Sequence, residues 1–165
     1  MRHLLKNSLL ILTLLLLLPN ASAAVQLGQT LIPFKGIDLN GRPYDLQKTI
    51  GTKPVVLVFW ASWCSACKTE VPKVNQLAEQ YRARGIEFLA VNVGYNDSVE
   101  RARAFVRRTN MTYPTYFDGS SAITQKYRVQ GVPTIIIADK LGIIRFLNYS
   151  TAGISEALLT SLLTD

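Results

Sequence analysis

The sequence predicts an α/β domain, a central mixed β-sheet flanked by helices. Three observations predict it. From residue 31 onward, apolar runs rich in β-branched residues alternate with segments of helical periodicity. Two of those runs, Val55–Trp60 and Thr134–Ala138, lack the in–out alternation of a half-exposed strand, so both of their faces must be covered. The turn Asp139-Lys140-Leu141-Gly142 joins the last two strands tightly enough to make them antiparallel, which turns a parallel sheet into a mixed one.

Each element follows from local chemistry. Residues 31–39 read as a strand, Asn40-Gly41 as a hairpin turn and residues 42–46 as the returning strand. After the turn Gly51-Thr52-Lys53-Pro54 comes the buried strand Val55–Trp60. Val71, Val74, Leu77, Ala78 and Tyr81 recur at steps of three and four, with Lys73, Gln76, Gln80 and Arg82 opposite, which predicts an amphipathic helix that Gly85 closes. Residues 86–93 form the next strand. Asp97-Ser98 caps a helix over residues 99–108, whose Arg101, Arg103, Arg107 and Arg108 read as a solvated face. A short strand containing Pro114 falls within 111–117 and a short helix within 123–127. The strand Thr134–Ala138 pairs with residues 143–147, and Ser155 caps a last helix over 156–163.

The chain has 165 residues, 18 Lys+Arg against 11 Asp+Glu, and two cysteines. Its first segment reads as an export signal. Arg2, His3 and Lys6 make the basic end, residues 9–18 are apolar except for Thr13, Pro19-Asn20 breaks the helix, and Ala21-Ser22-Ala23 fits a small-x-small cleavage site. Cleavage after Ala23 is expected, with Ala24 the neighbouring site. The alternative is an uncleaved anchor, although spanning normally takes about 20 apolar residues. Both readings export the domain, residues 24–165. Losing 23 of 165 residues leaves 142, and losing Arg2 and Lys6 lowers the formal charge from +7 to +5. No basic block interleaved with aromatics suggests nucleic acid. His3 is the sole histidine, so its removal would exclude Ser-His and Cys-His catalysis and every His-ligated metal site.

Cys64 and Cys67 are spaced C-x-x-C, directly after a buried strand and at the start of a helix. Backbone N–H groups in a first helical turn lack partners, and the helix dipole presents partial positive charge there. A thiolate in that place is stabilised and reactive. Cys64 should sit at the exposed helix start and Cys67 one turn deeper, so that Cys64 attacks a disulfide and Cys67 resolves the mixed disulfide. Three other readings remain: an inert structural disulfide, half of a zinc site with no further Cys or His to complete it, and Cu(I) held by two soft thiolates.

The run Phe59-Trp60-Ala61-Ser62-Trp63-Cys64-Ser65-Ala66-Cys67, with Gly131-Val132-Pro133-Thr134 downstream, resembles the thioredoxin-fold oxidoreductases. Glu70-Val71-Pro72, Ala90-Val91-Asn92-Val93 and the extra N-terminal β-hairpin resemble the exported TlpA/ResA-like branch. The resemblance covers residues 28–163 and implies a thioredoxin fold. It implies Cys64 as nucleophile, Cys67 as resolving thiol, a redox-active Cys64–Cys67 disulfide, and a cis Pro133 facing it. The Val132 backbone would pair with an extended client segment. Glu70 matches an acid that in this branch influences thiol titration, so it can take the proton of Cys67; otherwise it is a surface carboxylate favoured near a helix N-terminus. Trp63 shields Cys64 and contacts substrate, while Trp60 is core and Pro72 kinks the helix. Lys68, four residues after Cys64, either favours its thiolate or is solvated. Ala66 departs from the branch, which often carries Pro there, and leaves the reduction potential open.

The function so implied is an exported, periplasmic thiol–disulfide oxidoreductase without cofactor, acting as a monomeric reductant and tethered to the membrane if the signal is retained. In the branch it resembles, a membrane thiol-reducing transporter supplies the electrons, and client protein disulfides receive them, among them the haem-binding cysteine pair of apocytochrome c. A Cu(I) carrier and a general disulfide oxidant are the alternatives that use the same pair. A peroxidase would instead call for an activated Cys with Thr and Arg beside it.

Overall fold

The computed structural model describes residues 25–164. The expected signal segment lies outside the described residues. Five strands form the main sheet in the order β5-β4-β3-β6-β7. They are β3 (Val55–Trp60), β4 (Glu87–Asn92), β5 (Thr115–Phe117), β6 (Thr134–Ala138) and β7 (Ile144–Asn148). The central strand β3 runs parallel to β4, with Val55 opposite Glu87 and Trp60 opposite Asn92, and antiparallel to β6, with Phe59 opposite Thr134. The β4–β5 pair is parallel and the β6–β7 pair antiparallel, so the sheet is mixed as expected.

All residues of β3 and β6 are buried, which explains their unalternating sequences. Helices α2 (Ser65–Tyr81), α3 (Val99–Thr109) and α5 (Glu156–Thr164) direct Val71, Val74, Ala78, Tyr81, Phe105, Leu159 and Leu162 into the core. Each fully buried aliphatic side chain stabilises the fold by about 1.5–3 kcal/mol. Helix ends follow the expected caps. The Ser98 side chain accepts the Arg101 N–H, and Ser155 Oγ accepts the Leu158 N–H at 3.1 Å. Helix α2 stops at Tyr81, and Gly85 turns the chain into β4 at φ +108°, a conformation that favours glycine.

The N-terminal hairpin is real but smaller than the sequence suggests. Its strands β1 (Lys35–Ile37) and β2 (Pro43–Asp45) pair antiparallel, with Lys35 opposite Asp45. The expected strand over 31–39 is not continuous, because its backbone changes partner along the way. The Leu31 N–H donates to Gly142 O beside β7, whereas the Leu39 N–H donates to Thr115 O on β5, at the other edge of the sheet. Pro33 lacks the N–H that a longer ladder would use. The returning strand also ends early. Asp45 accepts the Gln47 N–H and caps a one-turn helix, α1 (Leu46–Thr49), which the strand reading missed. The strand expected within 111–117 is only Thr115–Phe117 and leaves out Pro114, which has no N–H for a ladder and only accepts from the Ala90 N–H; the short helix expected within 123–127, α4, is Ala122–Tyr127.

Candidate functional site

The site forms where β3 ends and α2 begins. Trp60 is buried, with its ring 4.7 Å from that of Phe105 on α3. Residues 61–63 then turn the chain, and the Cys64 N–H donates to Ala61 O at 3.2 Å. Cys64 is the N-cap of α2, in extended conformation at φ −83°, ψ 108°. Its Sγ accepts the Cys67 N–H at 3.0 Å and is bonded to Cys67 Sγ in a disulfide. Both cysteines are buried, Cys64 at 7% exposure and Cys67 at 2%, so Cys64 is the outer of the two but not at an exposed helix start as the sequence suggests; the Val132 segment covers it. In the reduced form, the same N–H and the helix dipole both favour a thiolate on Cys64.

A second segment closes on this sulfur from the far end of the sequence. The Val132–Pro133 peptide is cis, and Val132 O lies 3.4 Å from Cys64 Sγ, within reach of the reduced thiol as a donor. Thr134 Oγ1 donates to Gly131 O at 2.6 Å and steadies this loop. Pro133 is buried and lines a cavity of about 10 Å³ together with Cys67, Glu70, Trp60 and Tyr113.

Glu70 is not a surface carboxylate; it is buried on α2, one turn beyond Cys67. Its Oε1 accepts from Lys73 Nζ and its Oε2 from the Thr151 N–H, both at 2.7 Å, so it ties α2 to the loop between β7 and α5. Burial alone would push its carboxyl up. The hydrogen bonds from Lys73 and Thr151 outweigh that and hold it below the usual carboxylate value. Its negative charge, one turn along α2 from Cys67, opposes a thiolate there.

Trp63 projects beside Cys64 at 52% exposure, and its Nε1 donates to Tyr95 O at 2.9 Å. Lys68 is solvated. Helix α2 continues through Pro72.

One organising residue was missed in sequence. Asp97 accepts the Ser62 N–H (2.7 Å), Ser62 Oγ–H (2.6 Å), Asn92 Nδ2–H (2.7 Å) and Ser98 N–H (2.9 Å), and it faces Arg101 Nε at 3.4 Å. It thus joins the turn before Cys64 to the end of β4 and the start of α3. Reading Asp97-Ser98 as a cap accounts for only one of the two residues, and Ser98 performs that task. The surplus capping residue was the available signal. Gly94 belongs to the same junction. At φ +71° it passes so close to the Asp118 backbone that a Cβ would overlap the carbonyl.

A model of the AhpC/TSA family matches residues 27–147. The thiol-disulfide oxidoreductase ResA of Geobacillus kaustophilus is 38% identical over 120 residues, which are 72% of this chain and 67% of that relative. A Chlorobium tepidum protein described as a thiol:disulfide interchange protein DsbE has a similar structure, with a TM-score of 0.74 at 26% identity over 85% of this chain and 99% of its own. A secreted Mycobacterium tuberculosis disulfide oxidoreductase, homologous to E. coli DsbE, gives 0.65 at 25% identity over 79% and 94%.

Proposed function

Because the chain belongs to the AhpC/TSA family and is a thiol–disulfide oxidoreductase with the thioredoxin fold, we propose that it acts outside the cytoplasm as a reductant of client protein disulfides. The observation that carries this reading is the placement of Cys64 Sγ. It caps α2, accepts the Cys67 N–H and faces Val132 O, with Cys67 behind it.

The exchange runs in two steps. The Cys64 thiolate attacks one sulfur of the client disulfide; a mixed disulfide forms, and the client's other sulfur leaves as a thiolate and takes up a proton. Cys67 then loses its proton to solvent and attacks Cys64 Sγ. The Cys64–Cys67 disulfide forms, and the second client sulfur leaves as a thiolate that takes a proton from solvent. Two electrons and two protons have passed to the client. Trp63 and the Val132–Pro133 segment flank the sulfur and receive the client backbone. Glu70 acts on the second step as a charge. It keeps Cys67 protonated while Cys64 is ionised, and it disfavours the reduced, partly ionised pair, which lowers the reduction potential.

The destination follows from residues 1–23, read as a signal that delivers residues 24–165 to the periplasm, or tethers them there if it is retained. The resemblance to the exported branch supplies the partners: a membrane thiol-reducing transporter as electron donor, and the haem-binding cysteine pair of apocytochrome c among the clients. The working unit is a monomer, and neither nucleic acid nor cofactor takes part.

The purified protein, reduced and offered insulin, is expected to turn over the insulin disulfides. One equivalent of Cu(I) is expected to bind no more tightly than to an unrelated dithiol. Tight copper binding without insulin turnover would instead assign the pair to metal carriage.

A further inference from the structure

A groove of about 390 Å³ opens directly on Cys64. Ser62, Trp63, Cys64 and Ser65 form one side, Lys68 lies along α2, and Phe105, Arg108 and Thr109 close it from the last turns of α3. No residue of the cis-proline loop lines it, so it is a second flank of the reactive sulfur, beside the one where Val132 lies.

Its charge is one-sided. Among the described residues, no Asp or Glu lines it. Six cations, Lys35, Arg42, Lys53, Lys73, Arg101 and Arg145, each meet a carboxylate within 4 Å, and the other described cations do not; what sets Lys68 and Arg108 apart is that both line a groove that reaches Cys64. Lys68 and Arg108 are exposed, and neither forms an ion pair among the described residues. The N-terminus of α2, a helix of 17 residues, adds its partial positive charge from the same side. The Trp63 indole offers an apolar wall, and the Ser65 side chain a small donor.

We propose that this groove selects client disulfides flanked by a carboxylate, seated between Lys68 and Arg108 while Cys64 attacks the neighbouring sulfur. The inference rests on the reductase reading and names its substrate class. Arg108 supplies a planar fork that matches a carboxylate, and Lys68 a point charge. The carboxylate can come from an acidic residue of a client protein or from a small anionic disulfide such as glutathione disulfide. In both cases the exchange chemistry is unchanged, and the groove adds encounter rate and orientation.

The test uses the reduced protein and three peptides that share one internal disulfide and differ in a single residue beside the attacked cysteine: Glu, Gln or Lys. Glutathione disulfide and its ester form a second pair. The rate of oxidation of the protein is followed at low and high salt. The Glu peptide is expected to react about tenfold faster than the Lys peptide at low salt, with Gln between them. That ratio should shrink at high salt and approach one in the Lys68→Gln/Arg108→Gln double variant. Comparing ratios within each variant removes any uniform effect of Lys68 on the Cys64 thiolate. An advantage of glutathione disulfide over its ester extends the selection to small disulfides; an advantage confined to the peptides places it on proteins. Equal rates for the three peptides, or a ratio that survives the double substitution, would overturn the carboxylate preference and leave the reductase intact. If even the Gln peptide is not reduced, the reductase reading fails, and the preference with it.

Discussion

Cys64→Ser is expected to abolish disulfide exchange, lowering the rate at least about a thousandfold, because a serine hydroxyl at neutral pH is not a nucleophile towards sulfur. Cys67→Ser has a different outcome. Cys64 can still attack, but nothing resolves the mixed disulfide, so client proteins should remain covalently attached and be recovered by trapping. The asymmetry comes from the geometry. Cys64 is the outer sulfur, and its Sγ receives the Cys67 N–H at the helix start; Cys67 lies beneath it at 2% exposure. Both variants should stay folded. The bridge joins residues only three apart, so its loss costs about 2 kcal/mol of chain entropy, against a core in which β3 and β6 are buried at every position. Mixed-disulfide capture on non-reducing gels, with circular dichroism as the check on folding, reads both predictions. If the Cys64→Ser variant captured clients and Cys67→Ser did not, the two roles would be reversed.

The second large effect is expected at Asp97. Its side chain is fully buried apart from its partners, and Asp97→Ala would leave the Ser62 N–H, Ser62 hydroxyl, Asn92 amide and Ser98 N–H without their acceptor. Asn92 is buried and Ser62 and Ser98 are half-buried, so stripping these donors of an ionised acceptor costs about 2–3 kcal/mol, which corresponds to a fall in Tm of about 4–12 °C for a chain of this size. Because Ser62 is two residues before Cys64, the exchange rate should fall as well, while Cys64 remains present and reactive.

The pH dependence at Asp97 has a defined sign. Burial alone would raise its carboxyl, but the hydrogen bonds from Ser62, Asn92 and Ser98 outweigh it and hold the carboxyl below the ordinary value of 3.8. The folded protein therefore binds this proton less readily than the unfolded chain. The contribution of Asp97 is complete above the unfolded value and is lost as pH falls through the depressed folded one. The stability difference between the wild type and Asp97→Ala should be constant above about pH 5 and shrink below about pH 4. Thermal unfolding at several pH values measures it; a difference that grows towards acid would contradict the assignment.

The main sheet and the C-x-x-C element were legible because their signals are local. Six consecutive apolar residues in β3 and four in β6 have one physical explanation, burial on both faces, and strand, cysteine pair and helix follow in order. What the sequence hides is partner choice. Residues 31–39 look like one strand by composition, yet their N–H groups serve opposite edges of the sheet. The α1 turn is too short to show a period, and Asp45 was its only mark. Asp97 is separated by 35 positions from the Ser62 it holds, and Glu70 by 81 from the Thr151 N–H it accepts. Spacing along a helix cannot reveal such contacts, so Glu70 could equally have been a surface acid until its burial was seen. Lys68 and Arg108 illustrate the same limit. Each reads as an ordinary solvated cation, and only the fold places both beside Cys64.

The central claim is that the Cys64–Cys67 pair donates electrons. Its reduction potential, from equilibration with dithiothreitol or glutathione buffers, tests this most directly. The account predicts a value near that of a reducing thioredoxin, about −270 mV, since the Glu70 charge opposes ionisation of the inner thiol while a single N–H favours the outer one. A value near about −120 mV would contradict it: the pair would then oxidise exported thiols, and apocytochrome c would cease to be a client.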